Sequence, residues 1–250
     1  MSTLTRPNRK TVIFRQIARN LASRPGIVGS LLAVQLAGIV IALTSSGVSD
    51  YNSYGGMNIN TQFFNTDVIF VLTLAWAFLA PLYLTGRDSF EADMIFATDR
   101  MSRHAGNIAY MALLVLAGSL TAVLASTACL LFPVLGGTPV IPLRLGDWGL
   151  AGYALVLLTV LLSYSLLAAG AGYLLGTLLG LSRLLVIVFF LLALIVLGIM
   201  DNAGLLLLGD VGRFLFGNDQ PGILLIKAVA VSAALFAAAA LISNRQEAGA

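Results

Sequence analysis

Long apolar runs alternate with short polar breaks along the whole chain. A helix needs about 20 residues to cross the roughly 30 Å hydrocarbon core of a bilayer, and the runs are of that order. The first covers 26–46, GIVGSLLAVQLAGIVIALTSS, and the second 67–86. The third covers 107–133 and is expected to stop where Pro133 begins a cluster with Gly136, Gly137, Pro139 and Pro142, residues that end helices. The fourth covers 149–178, long enough to tilt or to extend past the membrane. Gly180-Leu-Ser-Arg183 reads as a tight turn, the fifth run covers 183–200, and the sixth covers 223–243. The pattern predicts an all-α integral membrane protein, with residues 1–250 forming a single transmembrane domain of six transmembrane helices.

Two segments outside the runs are patterned as well. In TVIFRQIARNLAS (11–23), Ile13, Phe14, Ile17, Ala18 and Leu21 share one helical face, and Arg15 and Arg19 lie opposite. This predicts an amphipathic helix within 1–25 lying at the membrane surface, its arginines toward anionic lipid, broken by Pro25-Gly26 before the first span. Ahead of the sixth span stands DNAGLLLLGDVGRFLFGNDQPG (201–222), where two apolar pieces too short to span flank Gly-Asp-Val-Gly-Arg. A re-entrant outer segment is expected there, since broken backbone at membrane depth is tolerated only where protein buries it.

The densest polar patch interrupts the second and third runs. RDSFEADMIFATDRMSRHAGN (87–107) holds seven charged residues and the single histidine, His104. Asp88 followed by Glu91 fits a helix N-cap with its reciprocal partner. Phe90, Met94, Ile95 and Ala97 follow at helical spacing, and Thr98-Asp99 either breaks that helix or caps a second one leading into Arg103 and His104. The patch is expected to fold as a short helix along the membrane surface. Its apolar side chains need lipid headgroups, the ends of the spans, or a partner.

Composition agrees: hydrophobic residues make up 59% of the chain and charged residues 10%, against about 25% charged in a soluble domain. The mean hydropathy is +0.96. Placement of the positive charges sets the orientation. Arg6, Arg9, Lys10, Arg15, Arg19, Arg24, Arg87, Arg100, Arg103, Arg183 and Arg245 fall on one side, and Arg144 and Arg213 on the other, with Lys227 near the start of the sixth span. By the positive-inside rule both termini are expected in the cytoplasm of a multi-pass protein of the cell membrane, a prokaryotic plasma membrane being the expectation. Trp148 fits an outer interface anchor, and Tyr83, Tyr110 and Tyr173 fit inner ones. Cys129, the only cysteine, is expected to be a buried thiol, and no removable signal peptide is expected.

Several functional classes are disfavoured. The two lysines, Lys10 and Lys227, lie outside any G-x-x-x-x-G-K-[ST] loop, so the chain itself is not expected to be an ATPase, and with its single histidine at the membrane edge and no acidic residue inside a clear span it is not expected to be an intramembrane enzyme either. His104 sits at the membrane edge, where a headgroup-level or partner-facing role is expected. The span interiors offer Gln35, Thr73, Thr121, Ser163, Ser165 and Thr177, few candidates for ion coupling. No metal site is expected. An ion-coupled secondary transporter and a non-transporting membrane subunit remain as alternatives.

The six runs, the amphipathic N-terminus, the patch and the outer segment together resemble the permease subunit of ABC-2 type ABC transporters. The quoted stretch FEADMIFATDRMSRHAGN is similar to the loop between spans two and three in that family. Glu91 matches its acidic position, Met94, Ile95 and Phe96 its apolar turn, and Ser102-Arg103 its Ser-Arg pair. Asp99 stands where proline is common, and Gly106-Asn107 where Gly-Lys is common. The resemblance implies that the patch is a cytoplasmic coupling helix held by ABC ATPase subunits, with Phe90, Glu91, Met94, Ile95, Arg100 and Arg103 making the contact. It implies that Phe14, Arg15, Ile17 and Arg19 form the interfacial helix. It further implies a second permease chain, identical or paralogous, with ATP and magnesium bound by the ATPase. Lipid is an expected partner and nucleic acid is not. The expected activity is export of an amphipathic or hydrophobic substrate such as a lipid, drug or peptide. A reporter active only outside the cytoplasm, fused after Ala250, is expected to be silent; activity there overturns the orientation.

Overall fold

The computed structural model describes residues 17–44, 48–54, 57–63, 67–85, 100–135, 149–181 and 220–245. A helical stretch at 17–23 is followed by α1 (Pro25–Thr44), a hairpin of β1 (Val48–Tyr54) and β2 (Met57–Phe63), α2 (Asp67–Leu84), α3 (Arg100–Leu135), α4 (Gly149–Leu181) and α5 (Pro221–Arg245). Each of the five long helices contains a segment long and apolar enough to cross a membrane. They coincide with the first, second, third, fourth and sixth apolar runs. The fifth run at 183–200, the patch at 88–99 and residues 201–219 of the outer segment lie outside the described residues.

Two expectations need correction. The third helix does not stop before Pro133; it runs from Arg100 to Leu135, so the second helix allowed after Thr98-Asp99 is continuous with the third run. A proline in a helix removes one backbone donor and crowds the preceding turn, but only two helical residues follow Pro133, so few hydrogen bonds are at stake. At the other end the helix extends into the polar patch. The all-α expectation holds for the spans but misses the hairpin between α1 and α2. Its antiparallel register pairs Val48 with Phe63, Tyr51 with Asn60 and Tyr54 with Met57. The Gly55-Gly56 dipeptide between the strands is a turn signal that the sequence carries.

Side-chain pairings give the direction of each helix. Gly38 and Ser30 of α1 meet Ile69 and Trp76 of α2, so these two are antiparallel. Leu31 of α1 meets Gly118 of α3, and Asn20 just before α1 meets Asn107, so α1 and α3 are parallel. Gly172 and Gly176 of α4 advance along α2 with Phe78 and Leu82, and Gly170 and Tyr173 advance along α5 with Ser232 and Phe236. Thus α1 and α3 run one way, and α2, α4 and α5 run the other.

Two apolar clusters fill the bundle. Ile27, Leu31, Trp76, Leu84, Tyr110, Met111, Tyr173 and Phe236 belong to one, at the end where α1 begins. Ala42, Ile69, Val123, Cys129 and Leu161 belong to the other. Cys129 is buried and free, as its apolar setting implies. Leu36, Val71, Leu116, Leu124, Leu155 and Ile226 face outward, the arrangement lipid requires and water would penalise.

Glycine sets how closely the helices approach. A methyl group on Gly172 would collide with the Phe78 carbonyl oxygen, and one on Gly176 with the Thr85 hydroxyl. A methyl on Gly38 would stand 3.1 Å from the Ile69 Cα, and one on Gly180 no closer than 3.8 Å to the Thr85 oxygen. Overpacking a well-filled core costs about 1–3 kcal/mol. Gly172→Ala is therefore expected to lower the unfolding midpoint in detergent. Gly180→Ala is expected to leave it unchanged or raise it, because alanine favours a helix by about 1 kcal/mol over glycine. Equal effects at the two positions contradict the close approach.

Candidate functional site at the arginine-rich end

The beginnings of α1 and α3 and the ends of α2, α4 and α5 converge at the end of the bundle that carries the described arginines, Arg19, Arg24, Arg100, Arg103 and Arg245. The helical stretch 17–23 arrives here first. It ends at Arg24, whose amide donates to the Asn20 carbonyl at 3.1 Å and whose carbonyl accepts from Ile27 at 3.2 Å. The break falls at Arg24 and not at the expected Pro25-Gly26, both of which are helical. Pro25 opens α1, where its missing donor costs nothing and its fixed φ suits a helix.

Asn20 anchors this stretch. Its side chain is buried, and its Nδ2 donates to Asn107 Oδ1 of α3 at 2.9 Å. Ile17 and Arg19, two of the residues expected on the interfacial helix, are partly buried, whereas Leu21 from the apolar face is 47% exposed. The polar Asn20 therefore grips the bundle, while part of the apolar face is left for lipid. Phe14 and Arg15 lie outside the described residues, as do Phe90, Glu91, Met94 and Ile95. Arg100 and Arg103 fall in the first turn of α3.

His104 is one turn into α3. In place of the expected headgroup-level or partner-facing position, it is only 9% exposed and turned into the bundle. Its Nδ1 lies 2.8 Å from the Tyr173 hydroxyl of α4, and the rings meet edge to face with centroids 6.2 Å apart. Tyr173 in turn packs edge-on against Phe236 of α5, centroids 5.4 Å apart. The direction of the proton depends on the histidine tautomer: a neutral ring accepts from the hydroxyl at a bare Nδ1, and a protonated Nδ1 donates to the phenol oxygen.

The tyrosines also depart from expectation. Tyr83 is 70% exposed and suits an interface anchor, but Tyr110 and Tyr173 are fully buried. The Tyr110 hydroxyl is buried without a hydrogen-bond partner, and Arg24 lies close enough for its charge to act on it. The reason is helical phase. His104, Asn107, Tyr110, Met111, Leu114 and Val115 recur every three or four residues, all buried, so the core face of α3 runs unbroken into the polar patch. That continuation is the available signal for Asn107 and for an inward His104. Asn20, set among arginines, carries no comparable signal.

Deeper in the bundle the polar groups serve structure. Gln35 Nε2 of α1 donates to the Gly118 carbonyl of α3 at 2.9 Å, and Trp76 Nε1 of α2 donates to the Ser30 hydroxyl of α1 at 3.0 Å. Thr73, Thr121, Ser163 and Thr177 donate back to carbonyls of their own helices. The hydroxyls of Ser119, Ser126 and Ser165 are buried without a partner. Among the described residues, no group of three or more His, Cys, Asp or Glu is placed to hold a metal ion. The arrangement joins helices, and among the described residues it shows no paired nucleophile and base.

Fold and composition together define a multi-pass helical membrane protein. No protein-family model, curated protein or solved structure matches the chain.

The Asn20–Asn107 bond lends itself to a double-mutant cycle. Interhelical side-chain bonds in membranes average about 0.6 kcal/mol of coupling and reach about 1.7 kcal/mol. Asn20→Ala and Asn107→Ala are each expected to destabilise the fold, with a coupling in that range measured from unfolding in detergent. Strictly additive losses mean the two amides act independently.

Proposed function

We propose that the chain is the membrane-spanning permease subunit of an ATP-driven transporter of the ABC-2 type. It works with a second permease chain, identical or paralogous, is powered by separate ABC ATPase subunits and exports an amphipathic or hydrophobic substrate. The observation that carries this reading is how α3 begins. The patch 88–99 runs directly into it, and its first two turns are bonded to the stretch before α1 through Asn107 and to α4 through His104. A partner pushing on the patch would act on a helix already tied to its neighbours.

Helix direction supports the six-span layout. Because α4 and α5 pack side by side in the same direction, the chain leaving α4 has to return to the opposite side before α5 begins. Residues 182–219 are long enough for one such crossing, which takes about 20 residues in a helix. The apolar run 183–200 is its natural candidate, and six crossings leave both termini on the arginine-rich, cytoplasmic side. Apart from Lys227 near the start of α5, the interiors of the described spans carry no Asp, Glu, Lys or Arg, which fits an apolar cargo moved by an external energy source.

Coupling through Phe90, Glu91, Met94 and Ile95 is tested by truncation. Apolar anchors in a partner's cleft typically cost about 2 kcal/mol or more each when cut to alanine, roughly thirtyfold in affinity. The Phe90→Ala, Met94→Ala double variant is expected to insert and fold normally but to lose its co-purifying ATPase. Glu91→Arg is expected to weaken the same complex by charge reversal. A double variant that keeps its ATPase removes the coupling role from the patch.

A further inference from the structure

We propose that His104, Tyr173 and Phe236 form a latch that makes the start of α3 move together with α4 and α5. This deepens the permease reading and rests on it, because it says where a push on 88–99 would go. His104 lies one turn after Arg100, the first residue of α3, so any displacement of that end is felt at the histidine.

The need for a bridge comes from the packing. Helices α4 and α5 are in long, close contact, with Gly170 receiving Ser232 and Leu235, whereas α3 touches α5 only slightly. Tyr173 fills the gap between them. It is fully buried, holds His104 through its hydroxyl and presents its ring to Phe236. Two different forces thus meet on one side chain: a hydrogen bond toward α3 and an aromatic contact toward α5. The hydrogen bond is the part that can switch. It is directional and short-ranged, so a small shift of either helix is enough to lose it. The aromatic contact slides with little penalty and keeps α5 in step with Tyr173.

The two forces can be separated by substitution. Tyr173→Phe keeps the ring on Phe236 and removes the hydroxyl. His104→Asn keeps an amide atom within reach of that hydroxyl, and His104→Leu does not. The test uses the full chain with its ATPase in lipid nanodiscs, in a Cys129→Ser background. Spin labels on the outward-facing positions Leu113 of α3 and Leu241 of α5 report their distance with and without ATP–vanadate trapping. With the latch intact the distance is expected to stay constant, because the start of α3 and α5 move as one. In Tyr173→Phe and His104→Leu trapping is expected to change it, and His104→Asn is expected to restore constancy. A change in the intact chain, or a constant distance in Tyr173→Phe and His104→Leu with the ATPase bound, overturns the latch. If the intact chain binds no ATPase, the permease reading fails, and the latch with it.

Discussion

The bundle depends on how closely α4 can lie on α2. Lipid tails are as apolar as leucine, so the hydrophobic effect that places helices in a membrane does little to hold one against another. Close contact has to come from shape. Gly172 and Gly176 supply it by leaving no side chain where the Phe78 carbonyl and the Thr85 hydroxyl stand. Gly170, one face around, does the same for α5. With both neighbours seated on it, α4 becomes the helix to which α2 and α5 are fixed, and Tyr173 on that helix is left between α3 and α5.

Polar bonds finish what the glycines begin, and they are sparing. Gln35 ties α1 to α3, Trp76 ties α2 to α1, Asn20 ties the leading stretch to α3, and His104 ties α3 to α4. Each joins helices that an apolar surface alone would leave free to slide or rotate. Two of the four gather at the arginine-rich end, so the ties are concentrated around the first two turns of α3. Buried threonines and serines that bond to their own helices add no such ties and line no charged path.

Much of this architecture is written in the chain itself. Apolar runs of about 20 residues locate α1, α2, α4 and α5 to within a few residues, because in a bilayer the length of a helix is dictated by the thickness it must cross. Gly170, Gly172, Gly176 and Gly180 are small residues in and just after the fourth apolar run, a composition that allows close helix packing. What periodicity could not reveal is where a helix outlasts its apolar run. The apolar run begins only at 107, yet one continuous helix starts at Arg100, and His104 and Asn107 near its start find partners on other elements. Nor could the sequence show that Tyr110 and Tyr173 turn inward while Tyr83 turns outward, since an interfacial tyrosine and a buried one look alike until neighbours are known. The apolar pattern does not single out the strands 48–54 and 57–63 either, for which the Gly55-Gly56 dipeptide is the main local sign in the sequence. Thus the chain by itself determined which segments enter the membrane, a matter of local hydrophobicity and length. Only the tertiary structure decided which polar side chains meet and that α4 and α5 run in parallel, because those facts belong to pairs of residues distant in sequence.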